Sequence, residues 1–462
     1  MELLYVNEIV KATKGQLVKG DQNFRIRSIS IDSRSIKKGD LFIAIKGDNF
    51  DGHDFIGNAI KSGASGIILS SLHSSLKTLS SAFIIKVRNT LKALQNLAKY
   101  YRGKFDIPII GITGSNGKTT VKDMTESILS QKLRITGTVG NYNNQVGVPL
   151  TAFRLSKDTR AGIFEVGISS YKEMKNLGEI ICPDIAVITN INIAHMQYFK
   201  TVRNLVNAKA KLLDFVNKEG TAILNADDKY FSFLKASAKC RVISFGIKNK
   251  ADIMAEDISI LPASTKFLLN GAVKITLPIP GIHNVYNALA AVGVSLQFSK
   301  DLNLVRNGLR NFKPPEMRMQ IIRRGNLTVI NDAYNANPAS TRAALEVLRN
   351  INSNPNGTRY RKVFIFGNMF ELGDRKVSEH KKIGKLVLES QVDIFITIGK
   401  LAGLSAATAK ESGLNESKIF SFENTEEAGE KLLSILQSND TLLLKGSRAM
   451  RLENILEILK DS

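Results

Sequence analysis

The stretch GITGSNGKTT, residues 111–120, holds residue types that bind phosphate. A glycine-rich turn between a strand and a helix lets backbone N–H groups converge on an anion, and the positive end of the helix adds to their pull. Lys118 would neutralise phosphate oxygens, and Thr119 would offer its hydroxyl to Mg²⁺. The spacing departs from the usual phosphate loop, which carries a glycine five residues before the final Gly-Lys pair. Ile112 stands there, Gly111 comes one residue early, and Gly114 lies inside the loop. Gly114, Ser115, Asn116, Gly117, Lys118, Thr119 and Thr120 make a nucleotide cradle whose chemistry fits ATP.

ATP needs a metal, and hard ligands recur downstream. Glu165 ends the run AGIFEVG, and His195 follows DIAVITNI. Both fall at the carboxyl ends of expected strands, the edge where open α/β sheets gather ligands. A lone histidine is more often a packing residue. The loop and the acid turn the reading of His195 towards metal ligation.

The elements that must position these residues are legible as alternation. IPIIGIT reads as a buried strand running into the loop, and KTTVKDMTESILSQK as the helix after it. Further strands are expected at AGIFEVG, DIAVITNI, GTAILNA and RVISFG, which implies a parallel sheet with helices on both faces. Upstream, RIRSISI and DLFIAIKG are β-like, and NTLKALQNLAKYYRGKF has apolar residues at helical spacing, a connecting helix before Pro108. STKFLLNGAVKITLPIPG is β-like and precedes the helix NVYNALAAVGVSL. Pro314 and Pro315 mark a second boundary, after which LTVIND, KVFIFGN, DIFITIG and DTLLLKGS each lead into a helical pattern. The expected organisation is α/β with three domains, residues 1–85, 86–313 and 314–462.

At 462 residues the chain exceeds one ordinary core. No apolar run approaches the roughly 20 residues that span a bilayer, and the start MELLYVNEIV lacks a secretion signal. Cys182 and Cys240 are the two cysteines, too few for a disulfide framework or a cysteine-rich metal site. The cytoplasm is the expected compartment. The net charge of +22 is spread along the chain without a basic tail or aromatic interleaving. It suits anionic small molecules, and nucleic acid is not an expected partner.

The motifs GITGSNGKTT, TVGNYNNQVGVPL, EVGIS, TNINIAHM, KAKLLDF, NADD, PGIHNVYNALAA, MRMQ, NDAYNANP and LKGSRAM occur in an order that resembles the Mur ligases. The likeness runs from IDSRSIKKGDLFIAIKGDNFDGHDF to residue 451, nearly the whole chain. The loop is also similar to that of folylpolyglutamate synthase; GNYNNQVGVPL and AYNANP are more specific. The resemblance implies a small UDP-substrate domain, a central phosphate-loop ATPase-like parallel-sheet domain and a C-terminal Rossmann-like domain. It implies an enzyme that phosphorylates a carboxylate with ATP and couples it to an amine. NDAYNANP with FELGD points to the members that join D-alanyl-D-alanine to a UDP-N-acetylmuramoyl-tripeptide, with a monomer as the expected form.

By the same resemblance, Lys118 would hold the β/γ-phosphates, Thr119 and Glu165 one Mg²⁺, and His195 a second. Lys211, before LLDF, would react with CO₂ to become a carbamate, an oxygen ligand for the metal, with Lys209 as the nearby competitor. Carbamylation needs the neutral amine, which burial favours. Asn284 would face adenine, Arg318 would touch ATP, and Asp332 the ribose. Ser33 and Arg34 would bind pyrophosphate, Asn141 and Asn144 the UDP-muramoyl-peptide, and Asn335 and Asn337 the D-alanyl-D-alanine. Lys445, Ser447 and Arg448 match a further signature. Two departures stand out: Asn368 replaces an acid in GNMFELG, and Tyr171, Lys172 and Glu173 stand where relatives carry PGE. A nucleic-acid-stimulated ATPase is the rival reading, but it explains neither GNYNNQVGVPL nor NDAYNANP.

Overall fold

The computed structural model describes residues 1–47, 50–71, 82–193, 196–351 and 360–459. His195 lies outside them. The chain gathers into two compact units, residues 1–112, 132–186 and 211–221 in the first, and residues 113–131, 187–210 and 222–462 in the second.

The first unit contains a five-stranded sheet in the order Gln16–Lys19, Phe83–Lys86, Gly66–Leu69, Leu41–Ile43, Ile29–Ser30. Only the first pairing is antiparallel. Leu41–Ile43 and Gly66–Leu69 are buried throughout. Strands covered on both faces have no polar side to show, which is why they read as continuous apolar runs. RIRSISI is not one strand: Arg25–Ile26 pairs antiparallel with Leu4–Tyr5, and Ile29–Ser30 joins the larger sheet beside Leu41–Ile43.

The connecting helix is Thr90–Arg102. Asn89 caps it by accepting the Lys92 N–H, and Ala93, Leu94, Leu97, Ala98 and Tyr101 form its buried stripe. Tyr101 donates its hydroxyl to the Leu155 carbonyl at 2.7 Å. This unit also holds parallel strands in the order Ile135–Gly137, Ala161–Glu165 and residues 109–112, with Glu165 opposite Ile112.

In the second unit, residues 187–188 and the strands Thr221–Asn225 (from residue 222), Arg241–Gly246, Ile253–Leu261, Ser264–Leu269 and Val273–Leu277 follow one another in spatial order. The last three are antiparallel, a departure from uniform parallel alternation. Its cause is local. Asn270 and Gly271 take φ of 48° and 67°, which turns the chain straight back as a hairpin. Helix Lys118–Leu129 lies against Leu302–Arg310, with Ser127 donating to the Gly308 carbonyl at 2.8 Å.

A six-stranded sheet completes the unit, in the order Gln320–Arg324, Leu327–Asn331, Thr441–Lys445, Lys362–Gly367, Ile394–Ile398, Ile419–Phe422. All pairs are parallel except the first. Val329, Val363, Ile365, Ile396, Leu442 and Leu444 form its buried centre. Among the described residues, no helix is long and apolar enough to cross a membrane.

Candidate active site

The buried strand Ile109–Thr113 delivers the chain into the phosphate loop, and the helix Lys118–Leu129 leaves it. Gly114 and Gly117 sit at φ of 149° and 84°, and neither tolerates a side chain. A Cβ would lie 1.9 Å from Thr189 Oγ1 at Gly114 and 2.2 Å from Asn287 Oδ1 at Gly117. The glycines thus serve both the turn and the close approach of two neighbouring elements.

Residues 189–192, after the strand Ile185–Ile188, clasp the loop. Ser115 N–H donates to the Asn190 carbonyl at 2.9 Å and Ser115 Oγ to the Asn192 carbonyl at 2.8 Å. Asn116 N–H donates to Asn190 Oδ1 at 3.1 Å, while Thr189 Oγ1 donates back to the Asn116 carbonyl at 2.6 Å. Asp228 anchors the clasp in turn, accepting the Ile191 N–H at 2.6 Å. Burial raises the Asp228 carboxyl above its usual range, against the pull of those N–H donors.

Two lysines converge on one carbonyl. Lys118 Nζ donates to Gly114 O at 3.0 Å, and Lys209 Nζ to the same oxygen at 2.9 Å. Lys209 is fully buried, and desolvation, aided by the nearby Lys118 charge, pulls its amine well below the usual lysine range. Lys211 is different and corrects the expectation of a buried amine. Its Nζ is paired with Asp214 Oδ2 at 2.5 Å and lies 5.5 Å from the Tyr171 ring centroid. Hydrogen bonding with Asp214, then with Tyr171, raises its pKa and favours the ammonium.

Glu165 is buried at its strand end and accepts Asn143 Nδ2 at 2.8 Å. The fold thus selects Asn143, and not the expected Asn141 or Asn144, as the loop asparagine that meets Glu165. Asn144 instead spends its side chain on the Val146 and Gly147 N–H groups, at 3.1 and 2.9 Å, ahead of the helix Gly147–Ala152. Asn141 contributes a backbone carbonyl to the turn, accepting the Asn143 N–H. Among the described residues, no group of three or more His, Cys, Asp or Glu side chains could hold a metal. Thr119, second in its helix, and Glu165 are hard oxygen donors of the kind that Mg²⁺ takes.

Asn284 is buried in the first turn of Ile282–Ser295, donating to the Pro280 carbonyl at 2.8 Å and accepting Asn287 Nδ2 at 3.1 Å. Asn287 is the wall beside Gly117, so Asn284 acts on the loop through it. Next to it, His283 keeps a covered Nδ1 with no hydrogen-bond partner. Desolvation pulls this imidazole down to about 4, with Asp332 opposing and Lys445 assisting.

The signature residues of the last segment form a connected group. Lys445, itself buried, pairs with Asp332 Oδ2 at 2.6 Å and donates to the Asn335 carbonyl at 2.7 Å. Asp332 Oδ1 takes the Met319 N–H at 3.1 Å. Arg318 stacks on Tyr334, its guanidinium carbon 4.0 Å from the ring centroid, and its neighbours Met317 and Met319 both hold positive φ, 56° and 52°. Such strain in non-glycine residues persists where surroundings over-determine it, and it clusters at ligand sites. Asn337 caps the helix Pro338–Asn350 and also meets Asn116 of the phosphate loop. Ser447 Oγ accepts the Phe370 N–H at 2.9 Å, and Arg448 pairs with Glu453. In the first unit, Arg34 grips Asp32 with two nitrogens, at 2.9 and 2.8 Å, and holds that carboxyl down to about 2. Ser33 lies in the turn between them.

The sequence matches three family models, "Mur ligase family, catalytic domain" over residues 25–102, "Mur ligase middle domain" over 112–295 and "Mur ligase, glutamate ligase domain" over 317–448. It is 36% identical to the UDP-N-acetylmuramoyl-tripeptide–D-alanyl-D-alanine ligase of Buchnera aphidicola subsp. Baizongia pistaciae, across 94% of this chain and 92% of that one. The chain belongs to the Mur ligase family. The Bacillus subtilis enzyme of the same name is 31% identical over 99% of this Mur ligase and 98% of its own length. Among solved structures, MurF from Acinetobacter baumannii superposes with a TM-score of 0.90 at 30% identity, covering 100% of both chains. MurF from Thermotoga maritima in complex with ADP gives 0.81 at 25% identity, covering 94% of this chain and 97% of that one.

Both departures from the family pattern have local structural uses in this Mur ligase. Asn368 Oδ1 accepts the Ala402 N–H at 2.8 Å, capping the helix Lys400–Glu411 as an acid would. Tyr171, Lys172 and Glu173 open the helix Tyr171–Ile181, where Ser170 takes the Glu173 N–H and Glu173 takes the Ser169 N–H.

Proposed function

We propose that this Mur ligase activates the terminal carboxylate of a UDP-N-acetylmuramoyl-tripeptide with ATP and joins it to D-alanyl-D-alanine, a step of peptidoglycan precursor synthesis. The near full-length likeness to ligases of that name carries the reading. The phosphate loop supplies its chemistry.

A carboxylate resists amines because its leaving group would be oxide. Its oxygen attacks the γ-phosphorus of ATP, ADP departs, and the acyl phosphate can now lose phosphate. The amine of the dipeptide attacks the acyl carbon, the tetrahedral adduct expels phosphate, and the ammonium proton is lost to give the amide. The protein positions the reactants and neutralises charge. The N–H groups of residues 114–120 that Asn190 does not already hold, those other than Ser115 and Asn116, cradle the phosphates, and Lys118 moves its ammonium from the Gly114 carbonyl onto the β/γ oxygens. Asn284, Arg318 and Asp332 hold the nucleoside; Ser33 and Arg34 hold the pyrophosphate of the acceptor, with Arg34 released from Asp32. Asn141 and Asn144 border the acceptor, and Asn335, Asn337, Lys445, Ser447 and Arg448 shape the dipeptide site.

Thr119 and Glu165 would hold one Mg²⁺ ion, and His195 with a carbamylated Lys211 a second. Bound Mg²⁺ supplies charge neutralisation on the phosphates. Carbamylation requires the Lys211–Asp214 pair to open first, because Asp214 favours the ammonium. The working unit is a cytoplasmic monomer with domains 1–85, 86–313 and 314–462, which close on the ligands and exclude water from the acyl phosphate.

The test is an amine screen with UDP-muramoyl-tripeptide, ATP and Mg²⁺, read by product mass and phosphate release. D-alanyl-D-alanine should be coupled. An enzyme that adds a single amino acid and ignores the dipeptide would overturn the reading.

A further inference from the structure

Among the described residues, the side chain of Asn116 makes no hydrogen bond within its own loop. Its backbone N–H and carbonyl are committed to Asn190 and Thr189. Its amide points away, to a residue 221 positions distant: Asn337 Nδ2 donates to Asn116 Oδ1 at 2.7 Å, and Asn116 Nδ2 faces Asn337 Oδ1 at 3.4 Å. Among the described residues, the Asn337 amide nitrogen makes no other hydrogen bond. Its Oδ1 takes the Ser340 N–H at 2.9 Å and its backbone N–H goes to Ser340 Oγ at 3.1 Å, closing a capping box on Pro338–Asn350. One side chain therefore both fixes a helix start and grips the phosphate loop.

The segment between residues 332 and 337 is held at its other end by Lys445, which binds Asp332 and the carbonyl of Asn335. The phosphate loop is its second anchor. Phosphate recognition by such a loop uses backbone N–H groups and the lysine, so the asparagine amide is spare for another task.

We propose that Asn116 is a positioning residue for the amine donor: through Asn337 it sets the place of the segment that receives the dipeptide, and its side chain is not part of nucleotide binding. The inference rests on the proposed amine coupling. It assigns a loop residue that looks like a nucleotide ligand to the opposite substrate. It also makes the amide pair a physical link by which a filled phosphate loop presents an ordered amine site.

Three variants of the full chain test it: Asn116→Ala, Asn337→Ser and the two combined. Serine is itself a good helix cap, so Asn337→Ser removes the link while keeping the helix start. Each protein is measured for ADP affinity by calorimetry and for KM and kcat with D-alanyl-D-alanine at saturating ATP. ADP affinity should stay within about twofold in all three, while the dipeptide KM rises about five- to tenfold in each single variant, the scale of one or two amide hydrogen bonds. The double variant should be no worse than the poorer single one, because both remove the same link. The proposal is overturned by any of three results: Asn116→Ala weakens ADP with the dipeptide KM unmoved, the two effects multiply, or neither KM changes. If the wild-type enzyme couples another amine in place of the dipeptide, the functional reading fails instead, and the same variants are run with that amine.

Discussion

Lys209 directs its buried Nζ at the carbonyl of Gly114 across 2.9 Å, and thereby shares that oxygen with Lys118 at 3.0 Å. The sharing bears on the proposed phosphate binding. With Lys209 in place, Gly114 would keep a donor in the proposed step that moves Lys118 to the nucleotide. Without it, the carbonyl would hold Lys118 back or be left unsatisfied, a cost of roughly 1–3 kcal/mol. Lys209→Met should raise the KM for ATP about tenfold while the KM for the amine stays put, as read from initial rates with each substrate varied in turn.

The Lys211–Asp214 pair sets a condition on the proposed carbamate. Asp214 raises the lysine's pKa, so the neutral amine that carbamylation would need is scarce while the pair is closed. Lys211→Ala should lower turnover by at least about a hundredfold and recover part of it when a small carboxylic acid is added, because the acid restores an oxygen ligand. Lys211→Arg should stay inactive, since arginine forms no carbamate. An arginine variant with full activity would sink the idea.

The loop itself was legible because its determinants are local: a buried strand, two glycines and a lysine within ten residues. The difference between Lys209 and Lys211 was also written in the sequence, though more faintly. Lys209 follows Leu205 by four and Val206 by three, which puts it on the buried stripe of helix Val202–Ala210. The family spacing before LLDF points to Lys211 and carries no information on burial. The partners of Asn116 were not legible, since Asn337 lies 221 residues away and each asparagine has a sufficient local reason to exist. The same holds for GNYNNQ, where three asparagines compete and only the fold selects Asn143 for Glu165. In RIRSISI the sequence carried β character without the partner that splits it into two strands, because pairing is decided by distant chain.

His283 should leave a mark on the pH dependence of stability. Its imidazole is held at about 4 in the fold, against an ordinary value of 6.5. Between those values the unfolded chain binds a proton that the native state refuses, so stability rises with pH through that window. The contribution is complete above 6.5 and is lost as pH falls towards 4. It amounts to at most about 3.4 kcal/mol. Urea melts at several pH values should therefore give a flatter profile between pH 4 and 6.5 for His283→Gln than for the wild type. Parallel profiles would place the proton elsewhere; His380, whose pKa burial also lowers, is the next group to change.

Asn368 offers a test of whether a departure from the family pattern serves structure or substrate. Its Oδ1 caps Lys400–Glu411 through the Ala402 N–H, and Gly399 ahead of that helix holds φ at 95°, bringing the turn close against the amide. Among the described residues its Nδ2 makes no hydrogen bond, so an acid in its place loses no partner. A carboxylate at a helix N-terminus interacts better with the exposed N–H groups than a neutral amide does. Asn368→Asp, the acid that the sequence resemblance leads one to expect, should raise stability by about 0.5–1 kcal/mol at neutral pH, and the gain should vanish as the new acid is protonated below pH 4. Denaturant midpoints at pH 7 and pH 3.5 read both parts. The dipeptide KM should stay within about twofold, because the side chain's hydrogen-bonding capacity is turned towards the helix. A shifted KM without the stability gain would mean that residue 368 faces the substrate, and that the asparagine was kept for specificity.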